Sequence, residues 1–214
     1  MKNASLIIAL LIVAGCSGYN PRHTEISSVP DPAFRARGYT NVIVQVTHDD
    51  FVFRKQLEDR IVETMRTRIT NAYSAALLMP PTREWSKEAI AETLNKYRVQ
   101  AILVVDGFSS GFDSIYVSGK SIVKDKTISY TDTTNDGTAV DTEERTVSRE
   151  FVEPHTTAMQ WTDGSLTLLD VSTDSKAWIG SFHSIGYANI GSFYYDVSQA
   201  IMKELTAYKM VGEQ

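Results

Sequence analysis

The sequence has little cysteine, proline or histidine. It contains one cysteine, six prolines and four histidines in 214 residues. A single cysteine cannot form a disulfide or a thiolate metal site within one chain. None of the histidines shows the His-x-His or i,i+4 spacing of a metal motif: His23, His48, His155 and His183. We therefore expect neither a metal centre built on histidine nor a cofactor.

Positive charge and long apolar runs are also scarce. Lysine and arginine number 21 against 26 acidic residues, a net charge of −5. Because no basic patch stands out, the sequence predicts no nucleic-acid partner. The apolar run from Leu6 to Ala14 is too short for a membrane span, which takes about 20 residues. The apolar fraction of 43% is that of an ordinary globular protein.

That apolar run follows Lys2 and ends in Val13-Ala14-Gly15-Cys16. A cation, a short apolar segment and small residues predict a secretory signal peptide over residues 1–15. The last four residues resemble the lipobox of bacterial lipoproteins. The resemblance implies cleavage before Cys16, a diacylglyceryl thioether on its sulfur and an acyl group on its amino terminus. In similar families the next residue influences sorting, and Ser17 in place of Asp implies the periplasmic face of the outer membrane of a diderm bacterium.

Residues 16–38 are predicted to be the lipid anchor and a flexible tether. Half of the prolines lie here, separated by Ser, Asn and Gly: Pro21, Pro30 and Pro32. As a flexible coil, the tether would span roughly 25 Å. Residues 39–214 are then expected to form one periplasmic α+β domain.

The first half of this domain predicts a β-α-β-α-β order. The strands are expected at Val42–Val46, 75–79 and 101–105. An apolar stripe with helical spacing predicts a helix over 51–73, with Phe53, Leu57, Ile61, Met65 and Ile69 on its buried side. Ser86 is expected to cap a second helix over 87–97, with Trp85 and Ile90 as a hydrophobic staple.

The second half predicts antiparallel hairpins and a C-terminal helix. The segments 115–123, 127–131 and 146–152 are rich in Ser, Thr, Tyr and Val, and 166–171 and 177–183 flank a five-residue loop. Trp161 and Trp178 are expected in the core, and so is one of Tyr194 and Tyr195. The fold class is α+β with a mixed sheet, covered on one face by helices at 51–73, 87–97 and 193–209.

The layout resembles a known group of proteins. Gly164-Ser165-Leu166-Thr167-Leu168-Leu169-Asp170, with Trp178-Ile179-Gly180 on the return strand, is similar to small outer-membrane lipoproteins. The order of elements is more distantly similar to the TolB amino-terminal fold, shared with the curli secretion lipoprotein and the lipoprotein activator of penicillin-binding proteins. The resemblance implies a non-enzymatic accessory or binding protein with an envelope protein as partner, or else an oligomeric secretion or scaffold component.

One enzymatic alternative comes from Gly107-Phe108-Ser109-Ser110-Gly111, which matches Gly-x-Ser-x-Gly. In α/β-hydrolases this serine is the nucleophile, and an acid and a histidine follow it in chain order, as Asp170 and His183 do here. The motif needs a helix directly after it, and a strand is predicted instead. A glycine- and serine-rich segment after a buried strand is the competing interpretation, and it predicts no catalytic residues.

A calcium loop is a second alternative. Asp132, Thr134, Asp136 and Glu143 occupy positions 1, 3, 5 and 12 of a Ca²⁺-binding pattern, with Gly137 at position 6. Asn135-Asp136-Gly137 is equally a hairpin turn, and the flanking segments are predicted to be strands.

Overall fold

The structure, a computed structural model, describes residues 22–117, 119–133, 139–187 and 189–212. Within these ranges the strands are β1 His23–Pro30, β2 Asn41–Val46, β3 Asn71–Ser74, β4 Ala101–Val117, β5 Lys120–Thr133, β6 Ala139–Val152, β7 His155–Asp170 and β8 Ser175–Ile185. The α-helices are α1 Phe51–Met65, α2 Ala75–Leu78, α3 Lys87–Lys96 and α4 Ile190–Ala207, and a 3-10 helix spans Pro32–Phe34. No helix among the described residues is long and apolar enough to cross a membrane.

Among the described residues, the main unit comprises the chain from Arg22 to Gly111 and from Gln160 onward. Its described residues form one mixed sheet in the order β1-β8-β7-β4-β2-β3. β2 is parallel to both β3 and β4, whereas β8 is antiparallel to both β1 and β7. The prediction of an α+β fold with a mixed sheet, hairpins in the second half and a C-terminal helix is confirmed.

The helices cover the two faces of the sheet unequally. Val42 and Val44 pack with α1 and α4 in the main core, whereas Ile43 points to the other face and packs with Leu94 of α3. The expectation that all helices cover one face was wrong for α3. The reason is that β2 is a central parallel strand of continuous apolar residues, which both faces of the sheet must bury.

Helix α1 is shorter than its apolar stripe suggested. The Asp50 carboxylate caps the first turn by accepting hydrogen bonds from the backbone N–H groups of Val52 and Phe53. The helix ends at Met65, and the chain then enters β3, where Ala72 pairs with Val42. Ile69 lies in the turn after α1 and is buried in the same core. Its position therefore matches the helical spacing of the stripe although it is not part of the helix. Residues 75–78, predicted as a strand, form α2.

The segment expected to be a flexible tether contains a strand. All eight residues of β1 pair with β8, from His23 opposite Ile185 to Pro30 opposite Trp178. Ile26 packs against the core, and Phe34 in the following 3-10 helix is buried. The prediction failed because β1 is an edge strand, where Pro is tolerated at an end and polar side chains stay exposed.

Residues 112–159 form a second compact unit. Its strands β5 and β6 pair antiparallel along their whole length, from Lys120 opposite Val152 to Thr133 opposite Ala139. The prediction of one domain over 39–214 did not separate this two-stranded ribbon.

Candidate functional site

The candidate site lies on the sheet face opposite α1 and α4. Along β4, Val105 is buried in the core, yet Phe108 packs against the same core, so the strict alternation of the strand is broken. Gly107 lies between them with φ +63°, a conformation that favours glycine. This bulge places Gly107 against Ser165 of β7 and leaves an open polar surface on β1, β8, β7 and the following part of β4.

One row of side chains crosses this open face. His183 is the cross-strand partner of both Asp163 on β7 and Glu25 on β1, so the three share one face. The Asp163 carboxylate lies 2.6 Å from His183 Nδ1 and fixes the orientation of the imidazole ring. Asp163 and Glu25 were not identified from the sequence, although their position in alternating strands was a usable signal.

The neighbouring row consists of small groups. Ser165, Ser181 and Ser27 are cross-strand partners on β7, β8 and β1, next to Gly107. Together with Glu25, Asp163 and His183, these serines line a shallow cleft of about 330 Å³. Hydroxyl and carboxylate groups in a shallow cleft suit hydrogen bonding to a polar surface.

Trp161 borders the same row. Its ring stacks against that of His183 with 6.4 Å between centroids. Trp161 also lies directly over Gly111, where a Cβ atom would approach Trp161 Cζ2 to 2.7 Å. The expectation that Trp161 is a core residue was wrong, since its side chain is half-buried on the open face, whereas Trp178 is fully buried as predicted.

The Ser109–Asp170–His183 arrangement does not assemble. Asp170 ends β7 opposite Ser175, eight residues along β8 from His183, which corresponds to roughly 26 Å. Ser109 is exposed in the middle of β4 instead of lying at a strand-to-helix turn.

Asp163 does not complete a triad in place of Asp170. The contacts of Gly107 with Ser165 and of Gly111 with Trp161 put Ser109 opposite Asp163. Asp163 then lies between Ser109 and His183, whereas a triad needs the histidine in the middle. Two strand spacings, roughly 10 Å, separate the serine from the imidazole. The glycines of the motif are explained by the bulge and by the space for Trp161.

Asp170 forms a separate buried cluster. Its Oδ1 accepts hydrogen bonds from the hydroxyl groups of Ser172 and Thr173 and the backbone N–H of Thr173, and its Oδ2 accepts one from Tyr39. Burial alone would raise the pKa of Asp170, but the hydrogen bonds outweigh it and lower the pKa to about 2. Burial and the bond to Asp170 raise the pKa of Tyr39. This cluster stabilises the β7–β8 turn and, through Tyr39, links the turn to the segment before β2.

The remaining sequence-predicted residues lie partly outside the described part of the chain. Cys16 and Asp136 lie outside the described residues. Asp132 pairs with Val140 and Glu143 with Ser129 in the ribbon, as the hairpin interpretation expects, and the calcium loop stays a prediction. No group of three or more metal-ligating side chains is found among the described residues.

Comparison with known proteins gives only remote structural likenesses. No protein-family model matches the chain, and no curated protein matches it. A PelC dodecamer from Paraburkholderia phytofirmans matches with 14% identity and a TM-score of 0.45, over 90% of this chain and 100% of that one. Its L103M variant matches at 14% identity and 0.42, with the same coverage. A PDZ domain protein from Parabacteroides distasonis matches at 10% identity and 0.34, over 88% of this chain and 37% of that one. At these TM-scores the likenesses are a distant similarity of structure, from which no function follows.

Proposed function

We propose that this protein is a lipid-anchored accessory or binding protein of the bacterial cell envelope, without catalytic activity. The anchor is Cys16, and the location is the periplasmic face of the outer membrane. The proposal is supported by Val13-Ala14-Gly15-Cys16 behind a short apolar run. Two or three acyl chains give stable attachment, because each buried methylene contributes about 0.8 kcal/mol.

The way in which the chain enters the fold limits the reach of this anchor. Arg22 donates a hydrogen bond to Asp196 Oδ1 at 2.7 Å, and a second one to Oδ2, on helix α4. β1 begins at the next residue. Six residue steps from Cys16 to Arg22 span at most about 22 Å, at 3.3–3.6 Å per residue. The proposed anchor therefore keeps Arg22 close to the bilayer surface.

The observation that carries the binding role is the open face of the sheet. Glu25, Asp163 and His183 line it beside three serines, and Val29 and Ile179 are exposed near its end. Sheet faces bury apolar side chains against a second layer, whereas this one presents polar groups, an aromatic ring and two aliphatic residues. That mixture is typical of a surface that docks another protein. We expect an envelope protein as the partner.

The anchor is tested by substituting Cys16. In cells fed an alkyne fatty acid, the wild-type protein should carry label and fractionate with membranes. Cys16→Ser removes the acceptor sulfur, so the variant should carry no label and keep the larger size of the uncleaved precursor. An unlabelled wild type, or a variant that is still processed to mature size, would contradict the proposal.

The binding face is tested by photo-crosslinking in cells. A photoreactive amino acid at Ser181, in the centre of the open face, should give one defined heavier product. The same residue at Gln56, exposed on helix α1, is the matched control and should give much less of it. Equal products from both positions would show that the partner does not dock on the open face.

An oligomeric secretion or scaffold component is the second candidate. It is favoured by the ribbon, because β5 and β6 have no third strand beside them among the described residues. Open strand edges can pair with another chain. Light scattering of the mature protein in detergent should show a defined multiple of the mass of one mature chain if this candidate is correct.

The hydrolase alternative has a direct test of its own. If our proposal is correct, a serine-reactive fluorophosphonate probe should leave the purified protein unlabelled. Labelling that disappears in Ser109→Ala would establish an active serine and overturn the non-catalytic proposal.

A further inference from the structure

A second site is formed by a cavity at the carboxyl ends of β2 and β3. It encloses about 360 Å³, which is within the range of small-molecule sites. The cavity lies between the end of β2, helix α2 and the first turn of α3. The residues used below are Arg54, Glu58, Met79, Trp85, Ile90 and Ile102.

The topology explains why an opening exists there. The connection from β2 to β3 runs through α1 on one face of the sheet, and the connection from β3 to β4 runs through α2 and α3 on the other. Helices that leave neighbouring parallel strands towards opposite faces diverge, and a crevice forms outside the strand ends. Ligands of open α/β sheets bind in such crevices.

One side of the cavity is apolar and held in place. Met79, Ile90 and Ile102 contribute aliphatic surface, and Trp85 contributes an aromatic ring. The Trp85 indole donates a hydrogen bond to the carbonyl of Pro80 at 3.1 Å. The Arg83 guanidinium lies 3.9 Å from the centre of the indole ring, so Trp85 is fixed by two contacts.

The polar side of the cavity contains Glu58 and Arg54, which differ in how far their hydrogen bonds are satisfied. Glu58 is 1% exposed, and it already accepts hydrogen bonds from Val46 N, Ala76 N and the Ser74 hydroxyl. Arg54 lies one helical turn earlier on α1 with its guanidinium 5.3 Å from the Phe51 ring. Its Nε is buried and has no hydrogen-bond partner among the described residues.

An unpartnered buried N–H is costly, and the donor left over belongs to a cation. A carboxylate can accept from a guanidinium through two parallel hydrogen bonds, which is its strongest pairing. Glu58 accepts hydrogen bonds on both of its carboxylate oxygens and, as a carboxylate, has no donor to offer a ligand. Arg54 itself lines the cavity, which therefore combines a cationic side chain with an apolar wall.

We propose that this cavity binds a small amphipathic carboxylate, with its acid group on Arg54 and its apolar part between Trp85, Met79 and Ile90. This activity is separate from the lipid anchor and from the open sheet face. It does not depend on the proposed envelope partner.

The experiment uses 4-phenylbutyrate as the probe and 4-phenylbutanol as its uncharged counterpart. The full chain, in lipid nanodiscs, carries ¹³C-methyl methionine. With the acid, the Met79 methyl signal should shift and saturate, whereas Met65 and Met202 in the main core should not move. The alcohol should bind at least about tenfold more weakly, because it lacks the charge-assisted pair.

Two variants and a control decide the outcome. Arg54→Met should weaken binding of the acid about tenfold or more, while Lys55→Met, which removes the neighbouring exposed cation, should leave it unchanged. Ile90→Phe fills the pocket and should abolish binding with the methyl spectrum of the core intact. The proposal is overturned if Met79 does not respond to the acid, if acid and alcohol bind equally, or if Ile90→Phe binds like wild type.

Discussion

At the scale of single residues, two buried carboxylates hold the main unit together. Glu58 joins the end of β2 to Ser74 at the end of β3 and to the first turn of α2. Asp170 joins the β7–β8 turn to Tyr39, which precedes β2. In both cases a buried charge is tolerated because at least three donors satisfy it.

We predict that Asp170 makes the protein sensitive to acid. Its pKa of about 2 in the folded protein lies below the unfolded value near 3.9. The stability it contributes, about 2–3 kcal/mol, is present above pH 4 and lost as the pH falls towards 2. Urea unfolding between pH 2 and 6 should show this slope in wild type and a smaller one in Asp170→Asn. Identical slopes in the two proteins would refute the assignment.

Glu58→Gln should destabilise the fold by about 1–3 kcal/mol. The amide has only one oxygen, so at least one of the donors facing Glu58 loses its acceptor in a buried site. Glu63→Gln, on the same helix but exposed, is the matched control and should change stability by less than about 0.5 kcal/mol. The measurement is the urea midpoint at neutral pH. Equal effects of the two substitutions would show that Glu58 is not a structural link.

At the scale of elements, the bulge at Gly107 determines which side chains of β4 reach the open face. Before it, Val105 faces the main core, and after it Phe108 does, so Ser109 and Gly111 turn to the other side. Phe108 meets the rings of Phe53 and Phe182 there. The bulge thus buries one more aromatic residue and makes space for Trp161.

Gly107→Val should destabilise the protein by about 2 kcal/mol or more, because a β-branched residue at φ +63° is strained and its Cβ atom would lie 3.0 Å from Ser165 Oγ. Ser109→Ala, two residues further on, is exposed and should be nearly neutral. Thermal unfolding of both variants makes the comparison. A stable Gly107→Val protein would indicate that the strand does not need this bulge.

At the scale of the whole molecule, residues 22–38 belong to the main unit. β1 covers the edge of β8, and Ser28 donates a hydrogen bond to Glu204 of α4 at 2.8 Å. Phe34 adds a buried ring to the core. A lipid anchor at Cys16 would therefore be connected to a folded strand, β1, by only a short linker.

Truncation tests this organisation. A chain that begins at Arg22 keeps all described residues and should unfold at the same urea concentration as the mature protein. A chain that begins at Tyr39 loses β1 and Phe34, and it should unfold at a clearly lower urea concentration or fail to fold. Burying one Phe side chain alone stabilises by roughly 1.5–3 kcal/mol. Equal urea midpoints for the two truncated chains would show that residues 22–38 do not stabilise the fold, as the prediction of a flexible tether requires.

The sequence by itself determined the elements that have strong periodicity. Three local patterns each formed the predicted helix or strand: the stripe of Leu57, Ile61 and Met65, the continuous apolar run of β2 and the stripe of α4. The caps at Asp50 and Ser86 are equally local, since a side chain meets N–H groups two or three residues away.

Only the tertiary structure decided the edge strand, the bulge and both candidate sites. β1 is polar on its exposed side apart from Val29, so its strand character depends on the partner β8, which lies more than 140 residues away. The chain order of the hydrolase alternative combines His183 with Asp170, yet the partner of His183 is Asp163, because strand register determines which side chains meet. The cavity beside Arg54 depends on helices leaving the sheet in opposite directions. Pairing and register are long-range properties, and a single sequence records them only weakly.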